Sequence, residues 1–323
     1  MASPPSNEKG RTFILPATPE NTYTGYFDNS QPPVLHINSG DTVILQTAGL
    51  YEGDLTPGLA MDKLLQLRQK YAAAGRSGHT LTGPIYINGA ERGDVLEVRV
   101  IKIIPRHYAV NYIIPGKAAS SGTLPEDFPE GQIKDFTLDL QKMATSFSPN
   151  VEIPLRPFLG IMAVAPEMPG RFPTAPPREF GGNIDCKELV AGTSLYLPVF
   201  VKGALFSAGD AHAAQGDGEV CITALETPLE EAVLQFIVRK DLKLARPMAE
   251  TSSHWISFGF HPDLDEAAKM ALRDMIDFLA TVKGFSRLDA YSLCSIAVDF
   301  RITQLVNGAK GIHGMLPKAI FRQ

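Results

Sequence analysis

The stretch Gly209-Asp-Ala-His-Ala-Ala-Gln-Gly-Asp-Gly-Glu219 brings three carboxylic acids and one imidazole together between two apolar runs, Ser194–Val201 and Val220–Leu225. Asp210 and His212 are two apart, as are Asp217 and Glu219, and residues two apart in a strand share a face. If Ala213–Gly216 is a four-residue hairpin loop, His212 stands opposite Asp217 and Asp210 opposite Glu219. All four then crowd one face within cross-strand contact. Carboxylates that close raise one another's pKa unless a cation or a shared proton intervenes. A divalent metal resolves the conflict most simply, since no Lys or Arg lies between Gly203 and Arg239. The competing reading is a solvated hairpin tip rich in turn residues.

A second run, Gly181-Gly-Asn-Ile-Asp-Cys186, repeats the pattern more faintly: its glycines permit close backbone approach, and Asn183 and Asp185 share a strand face. Mixed imidazole and carboxylate ligands suit Zn²⁺ or a similar ion, and an oxygen-rich set would also suit Ca²⁺. Such a metal acidifies water and polarises a carbonyl, while an acid left off it, Glu219 or Asp217, shuttles the proton. His79, at the head of His-Thr-Leu-Thr-Gly-Pro84, is a further candidate, and His313 lies in a Gly-rich loop. Cys186 beside Asp185 offers a thiol nucleophile, against the blander reading of a buried, inert cysteine. The chain has no G-x-S-x-G, H-E-x-x-H, P-loop or G-x-G-x-x-G signature.

The elements that must position these residues are mostly strands. Short apolar runs such as Val34–Ile37, Thr42–Thr47, Pro84–Ile87, Asp94–Ile104 and Val233–Val238 are punctuated by 28 glycines and 25 prolines, the pattern of a mainly β protein. Thr80-Leu-Thr-Gly-Pro-Ile-Tyr-Ile-Asn-Gly-Ala90 reads like Ser194-Leu-Tyr-Leu-Pro-Val-Phe-Val-Lys-Gly-Ala204, and each copy then reaches a Gly-Asp pair. This internal repeat predicts two related β units. We expect a disordered tail over residues 1–10, a first β unit over 11–124, and a second over 125–323 that carries the site hairpin and the C-terminal helices. Leu124–Pro154 forms the junction. Asp41 and Asp94, each after a Gly, are expected to be turn residues. Helices are predicted over Asp62–Ala74, over Asp263–Lys283 with Asp263 as N-cap and Gly284 as stop, and from Ser286 through Leu293.

The 323 residues carry a net charge of −5, which gives no footprint for nucleic acid. Three cysteines without a C-x-x-C pair argue for a reducing compartment. The polar, Pro-rich start lacks the apolar core of a signal peptide, and no apolar run approaches the ~20 residues of a membrane span. A cytoplasmic protein that forms a homodimer or larger homo-oligomer is expected.

At these residues the chain resembles the acetamidase/formamidase family. The matching stretches are His79–Asp94, Gly181-Gly-Asn-Ile-Asp185, Leu197–Phe206, Gly209–Glu219, Pro33-Val-Leu with Gly40-Asp-Thr-Val43, Ala290–Ser295 and Gly311-Ile-His-Gly-Met-Leu-Pro-Lys318. Together they run from about residue 33 to 318. The resemblance implies a cytosolic hydrolase that releases ammonia and a short carboxylate from a small amide such as formamide or acetamide. It also implies a fold of duplicated CUB-like β-sandwich units with a few peripheral helices. A divalent metal bound by the acids and histidine of these motifs is implied with it. Carried over position by position, Asp185, Asp210 and His212 become the metal ligands, Glu219 the general base or acid, and Asp217 its support. Asn183 binds the substrate amide or its developing oxyanion, and His79 completes the site across the two units. The chain departs from the family where some members have Asn-Pro-Ala-Thr-Gly-Pro and this one has His79-Thr-Leu-Thr-Gly-Pro. The main alternative is a non-catalytic metal- or carbohydrate-binding β module; a plain Ca²⁺ site of that kind would have little use for an imidazole. A duplicated cupin barrel is weak, because the chain has no His-x-His pair.

Overall fold

The computed structural model describes residues 10–116 and 121–322. Residues 1–9 of the expected tail therefore lie outside the described residues. Two large sheets dominate. One has nine strands, in the order Thr12–Leu15, Thr42–Leu45, Leu229–Arg239, Val95–Pro105, Thr193–Pro198, Met248–Glu250, His254–His261, Lys310–Pro317 and Asp299–Gln304. The other runs Gly181–Asn183, Phe158–Ala163, Phe206–His212, Thr80–Asn88 and Thr22–Thr24, with Leu35–Asn38 also pairing Thr80–Asn88. Both sheets draw strands from both halves of the chain.

The two sheets close on one apolar core. Val43, Val98, Leu195 and Phe236 from the first meet Ile85, Ile161, Phe206 and Ala208 from the second. Phe206 and Phe236 touch edge to face with ring centres 5.0 Å apart. Because strands buried on both faces need no polar alternation, Phe158–Ala163 and Phe206–His212 are buried at every position. The two copies of the repeat meet where they cross between sheets: Gly203 donates to the Ala90 carbonyl and accepts from Ile87. The first copy continues into Val95–Pro105, and the second continues into Phe206–His212, the strand that carries the site.

Among the described residues three α-helices pack outside the sheets: α1 (Met61–Ala73), α2 (Leu264–Lys283) and α3 (Arg287–Ala297). The Asp263 carboxylate accepts from the amides of Asp265 and Glu266, and Gly284 ends α2 at φ 75°, a left-handed turn that glycine adopts without strain. Ser286 caps α3, which runs four residues beyond the expected Leu293. Asp41 and Asp94 close turns as expected, accepting from the amides of Asn38 and Glu91. Among the described residues no helix is long and apolar enough to cross a membrane.

Candidate metal and hydrolase centre

His212 ends the strand Phe206–His212 and lies opposite Phe158, whose ring meets the imidazole edge-on at 5.1 Å. Two residues earlier the strand breaks its own rule: Asp210 sits at φ 52°. Asp185, just past Gly181–Asn183, has φ 51°, and Glu219, on the loop beyond His212, has φ 46°. A non-glycine residue held there costs about 1–3 kcal/mol, and such residues concentrate at functional sites. Three of the chain's candidate ligands thus carry local strain. The space they fill is provided by Gly160, where an added Cβ would lie 2.6 Å from Asp185 Oδ1 and 2.9 Å from Asp210 Oδ2.

The carboxylates converge on the imidazole. His212 Nε2 is 3.6 Å from Asp210 Oδ2 and 3.4 Å from Glu226 Oε2. Ligand atoms of Asp185, His212 and Glu219 lie within 4.8 Å of one another, and so do those of Asp210, His212 and Glu226. All five residues are buried, His212 completely. His212 Nε2, Asp185 Oδ1 and Asn183 Oδ1 are enclosed without a hydrogen-bond partner. Buried polar atoms are normally satisfied, so an atom set like this fits a divalent cation held by His212 with either pair of acids.

Neighbouring side chains fix how each ligand is presented. The Gln215 amide donates to the Asp185 carbonyl at 2.7 Å, so its oxygen faces His212 Nδ1 at 2.9 Å. Nδ1 must then carry a proton, which leaves the Nε2 lone pair for a metal. Asn307 donates to Asp185 Oδ2 at 2.6 Å, and Asp185 Oδ1 remains for coordination.

Charge follows geometry. Burial pushes the Asp185 carboxyl well above its ordinary range, with Asp210 adding repulsion, and Glu219 is raised in the same way by burial and then by Asp185. Burial opposes a charge on His212, but Glu226 and Asp210 outweigh it and raise the imidazole well above its usual value. Burial also opposes ionisation of Asp210, yet His79 and His212 hold that acid below its ordinary value. Acids that prefer protons, next to an imidazole that holds one, are what a cation of charge two would replace.

The structure gathers Asp185, Asp210, His212 and Glu219 as expected, and Asn183 and His79 line, with Asp210, His212 and Glu219, a cleft of about 620 Å³. His79 Nδ1 lies 3.0 Å from the Thr174 hydroxyl. The expected hairpin does not form. After His212 the chain makes only isolated bridges, His212 with Glu226 and Gly218 with Gln304, because Gly216 and Gly218 interrupt pairing and Glu219 turns left-handed. Asp217 is consequently not opposite His212. It binds Lys187 at 3.3 Å and Arg301 at 2.5 Å, outside the cluster. In its place stands Glu226, which sequence reasoning passed over. The only hint was that it is the next acid after Glu219. Cys186 is fully buried in the main core and burial pushes its thiol up to about 12, so no thiolate forms near neutrality.

Fold and site together define a two-sheet β protein with a buried carboxylate–histidine centre open to a cleft. The profile of the acetamidase/formamidase family matches residues 19–171 and 170–323, and the chain belongs to that family. It is 32% identical to an acetamidase of Bacillus halodurans, whose crystal structure superposes with a TM-score of 0.85 over 95% of this chain and 98% of that one. An acetamidase from Yersinia enterocolitica is 29% identical, with a TM-score of 0.87 over 98% and 95%. An acetamidase of Mycolicibacterium smegmatis is 28% identical over 198 residues, 44% of this chain and 49% of the relative. The chain thus spans about half the length of the curated relatives it matches.

Proposed function

We propose that this chain is an amidase that hydrolyses an aliphatic amide to ammonia and a carboxylate at the His212 centre, with a divalent metal of the Zn²⁺ type. The observation that carries the reading is His212 Nε2, buried without a hydrogen-bond partner among Asp185, Asp210, Glu219 and Glu226. Membership in a family whose solved members are named acetamidases supplies the reaction class. One imidazole among carboxylates favours Zn²⁺ over Ca²⁺, which takes oxygen ligands. Two pairs of acids could join His212 in holding it, Asp185 with Glu219 or Asp210 with Glu226, and the second pair leaves Glu219 for proton transfer.

When bound, the metal supplies Lewis acidity toward the amide carbonyl and makes water a better nucleophile at neutral pH. The protein does the rest. Glu219, buried and inclined to hold a proton, takes one from the attacking water and returns it to the leaving nitrogen. Asn183, lining the cleft beside Asp210, orients the amide. Gln215 keeps the imidazole in its ligating tautomer. His79 holds Asp210 ionised. The three cysteines are free thiols, which suits a reducing, cytoplasmic compartment.

The test is ammonia release from formamide and acetamide by chelator-stripped protein, before and after Zn²⁺ or Ca²⁺ is restored. Turnover that returns with metal supports the reading. Tight metal binding without turnover of any amide tried overturns it in favour of a binding module.

A further inference from the structure

The cleft that reaches His212 is far larger than acetamide needs. At about 620 Å³ it falls in the range of pockets that enclose drug-sized ligands. Asp210, His212, Glu219 and Glu226 line it, and so does a wall of Leu50, Tyr51, Tyr71, Tyr112 and Ile222. The first four of that wall are buried in one cluster, and Ile222 packs against it. Gln69, Ala72 and Gly308 line the cleft too and are exposed, which marks the solvent side. The apolar wall begins at the acids. Leu50 shares a smaller recess with Asp210 and Glu226, and the Ile222 amide donates to the Glu219 carbonyl at 3.0 Å. An amide placed at His212 therefore has its acyl group next to apolar side chains.

Two members of this wall are held in backbone that their side chains disfavour. Tyr51 has φ 57° and Ile222 has φ 81°. For a β-branched residue that value is an outlier, and such strain concentrates at functional sites. Glycine takes left-handed backbone without strain. What Ile222 supplies that glycine cannot is apolar surface facing the cleft. Tyr51 is also fixed in place. Its amide donates to the Gly78 carbonyl at 2.7 Å, and its ring lies so close to Gly78 that a Cβ there has no room. The Tyr71 ring stands 5.5 Å away, tilted by 58°. A wall already ordered in this way loses little side-chain freedom when a ligand packs on it.

Resting on the amidase reading, we propose that the substrate is an amide with a bulky apolar acyl group of about phenyl size, with the amide at His212 and the acyl group packed on Tyr51, Tyr112 and Ile222. Each methylene matched to a hydrophobic pocket is worth about tenfold or more in kcat/KM, so such a substrate should stand well apart from acetamide.

The experiment compares kcat/KM of the metal-loaded enzyme for acetamide, for phenylacetamide and for succinamide, whose chain is longer than that of acetamide but polar. The expected result is a preference of about tenfold or more for phenylacetamide over each of the other two. In Ile222→Gly, which relieves the strained backbone while deleting the apolar side chain, the ratio of phenylacetamide to acetamide falls by about fivefold or more, chiefly through KM. A purely structural role for Ile222 would lower turnover of both substrates together and leave the ratio unchanged. A smaller preference over either acetamide or succinamide overturns the proposal while leaving the amidase reading intact, and so does an unchanged ratio in Ile222→Gly. Failure to hydrolyse any amide overturns both. Should Ile222→Gly not fold, Ile222→Asn, a polar residue that tolerates positive φ, takes its place with the same ratio expected to fall.

Discussion

His212 and His313 are both buried, both lie among acids, and both keep Nε2 free of hydrogen bonds. Their surroundings nevertheless differ in kind. The charges that act on Asp185 and Glu219 beside His212 are other carboxylates and the imidazole itself. Beside His313 every acid has a base: Asp217 binds Lys187 and Arg301, and Glu188 binds Arg156 and Arg301. The consequence is opposite in sign. Around His212 the carboxylates overcome burial and raise the imidazole. Around His313 the neighbouring charges offset one another, burial decides, and the imidazole drops to about 4. A count of acids near a histidine therefore does not define a cation site. What defines it is whether the fold has already supplied the countercharge.

The comparison is broken most severely at His212. His212→Ala removes the atom common to both ligand sets, and amide turnover should fall by more than about a hundredfold, since even groups that only orient a ligand are worth 10–100-fold. Wild-type-like ammonia release from this variant would mean that the reaction occurs elsewhere. Gln215→Leu leaves every ligand in place but frees the tautomer. Zn²⁺ affinity should weaken by about 10–100-fold in a competition titration against a chelating dye, whereas an unchanged affinity would reduce Gln215 to a loop residue.

At His313 the expected effect is on stability and depends on pH. Its folded pKa is about 4, below the ordinary 6.5, so the unfolded chain binds the extra proton first. Stability is then lost as pH falls from above 6.5 toward 4, by about 3 kcal/mol in all. Denaturant unfolding of wild type and His313→Gln should show the wild type losing this increment relative to the variant. Parallel pH profiles would contradict the buried neutral imidazole. The smallest effects belong to the neutralised cluster and to the thiol. Arg301→Met exposes no ligand and breaks pairs that are only partly buried, so it should cost about 1 kcal/mol or less and change kcat/KM by only a few fold. Cys186→Ala should keep its activity, and an inactive but folded variant would revive the thiol mechanism.

The same contrast explains what could be read in advance. Asp210, His212 and Glu219 were legible because they lie close in sequence, and Asn183 with Asp185 because two glycines mark an approach to another strand. α2 was legible from its period and caps, α1 from its period, and the start of α3 from Ser286. Asp217 was misplaced for a nonlocal reason. The run between Gly203 and Arg239 has no cation, but Lys187 and Arg301 arrive from strands and loops far away in the chain. Glu226 escaped notice because its place beside His212 depends on an isolated bridge rather than a regular strand. Gln215 looked like a turn residue, and only the tertiary contact with the Asp185 carbonyl reveals its role. Left-handed backbone at Asp185, Asp210 and Glu219 is likewise imposed by the assembled site, not by residue preference.

The most direct test of the central claim is calorimetric titration of Zn²⁺ into chelator-stripped wild type, His212→Ala and Arg301→Met, run in two buffers of different ionisation enthalpy. The account predicts one tight site per chain in wild type and in Arg301→Met, with protons released on binding, and no tight site in His212→Ala. Undiminished binding in His212→Ala, or no site in wild type, would contradict it.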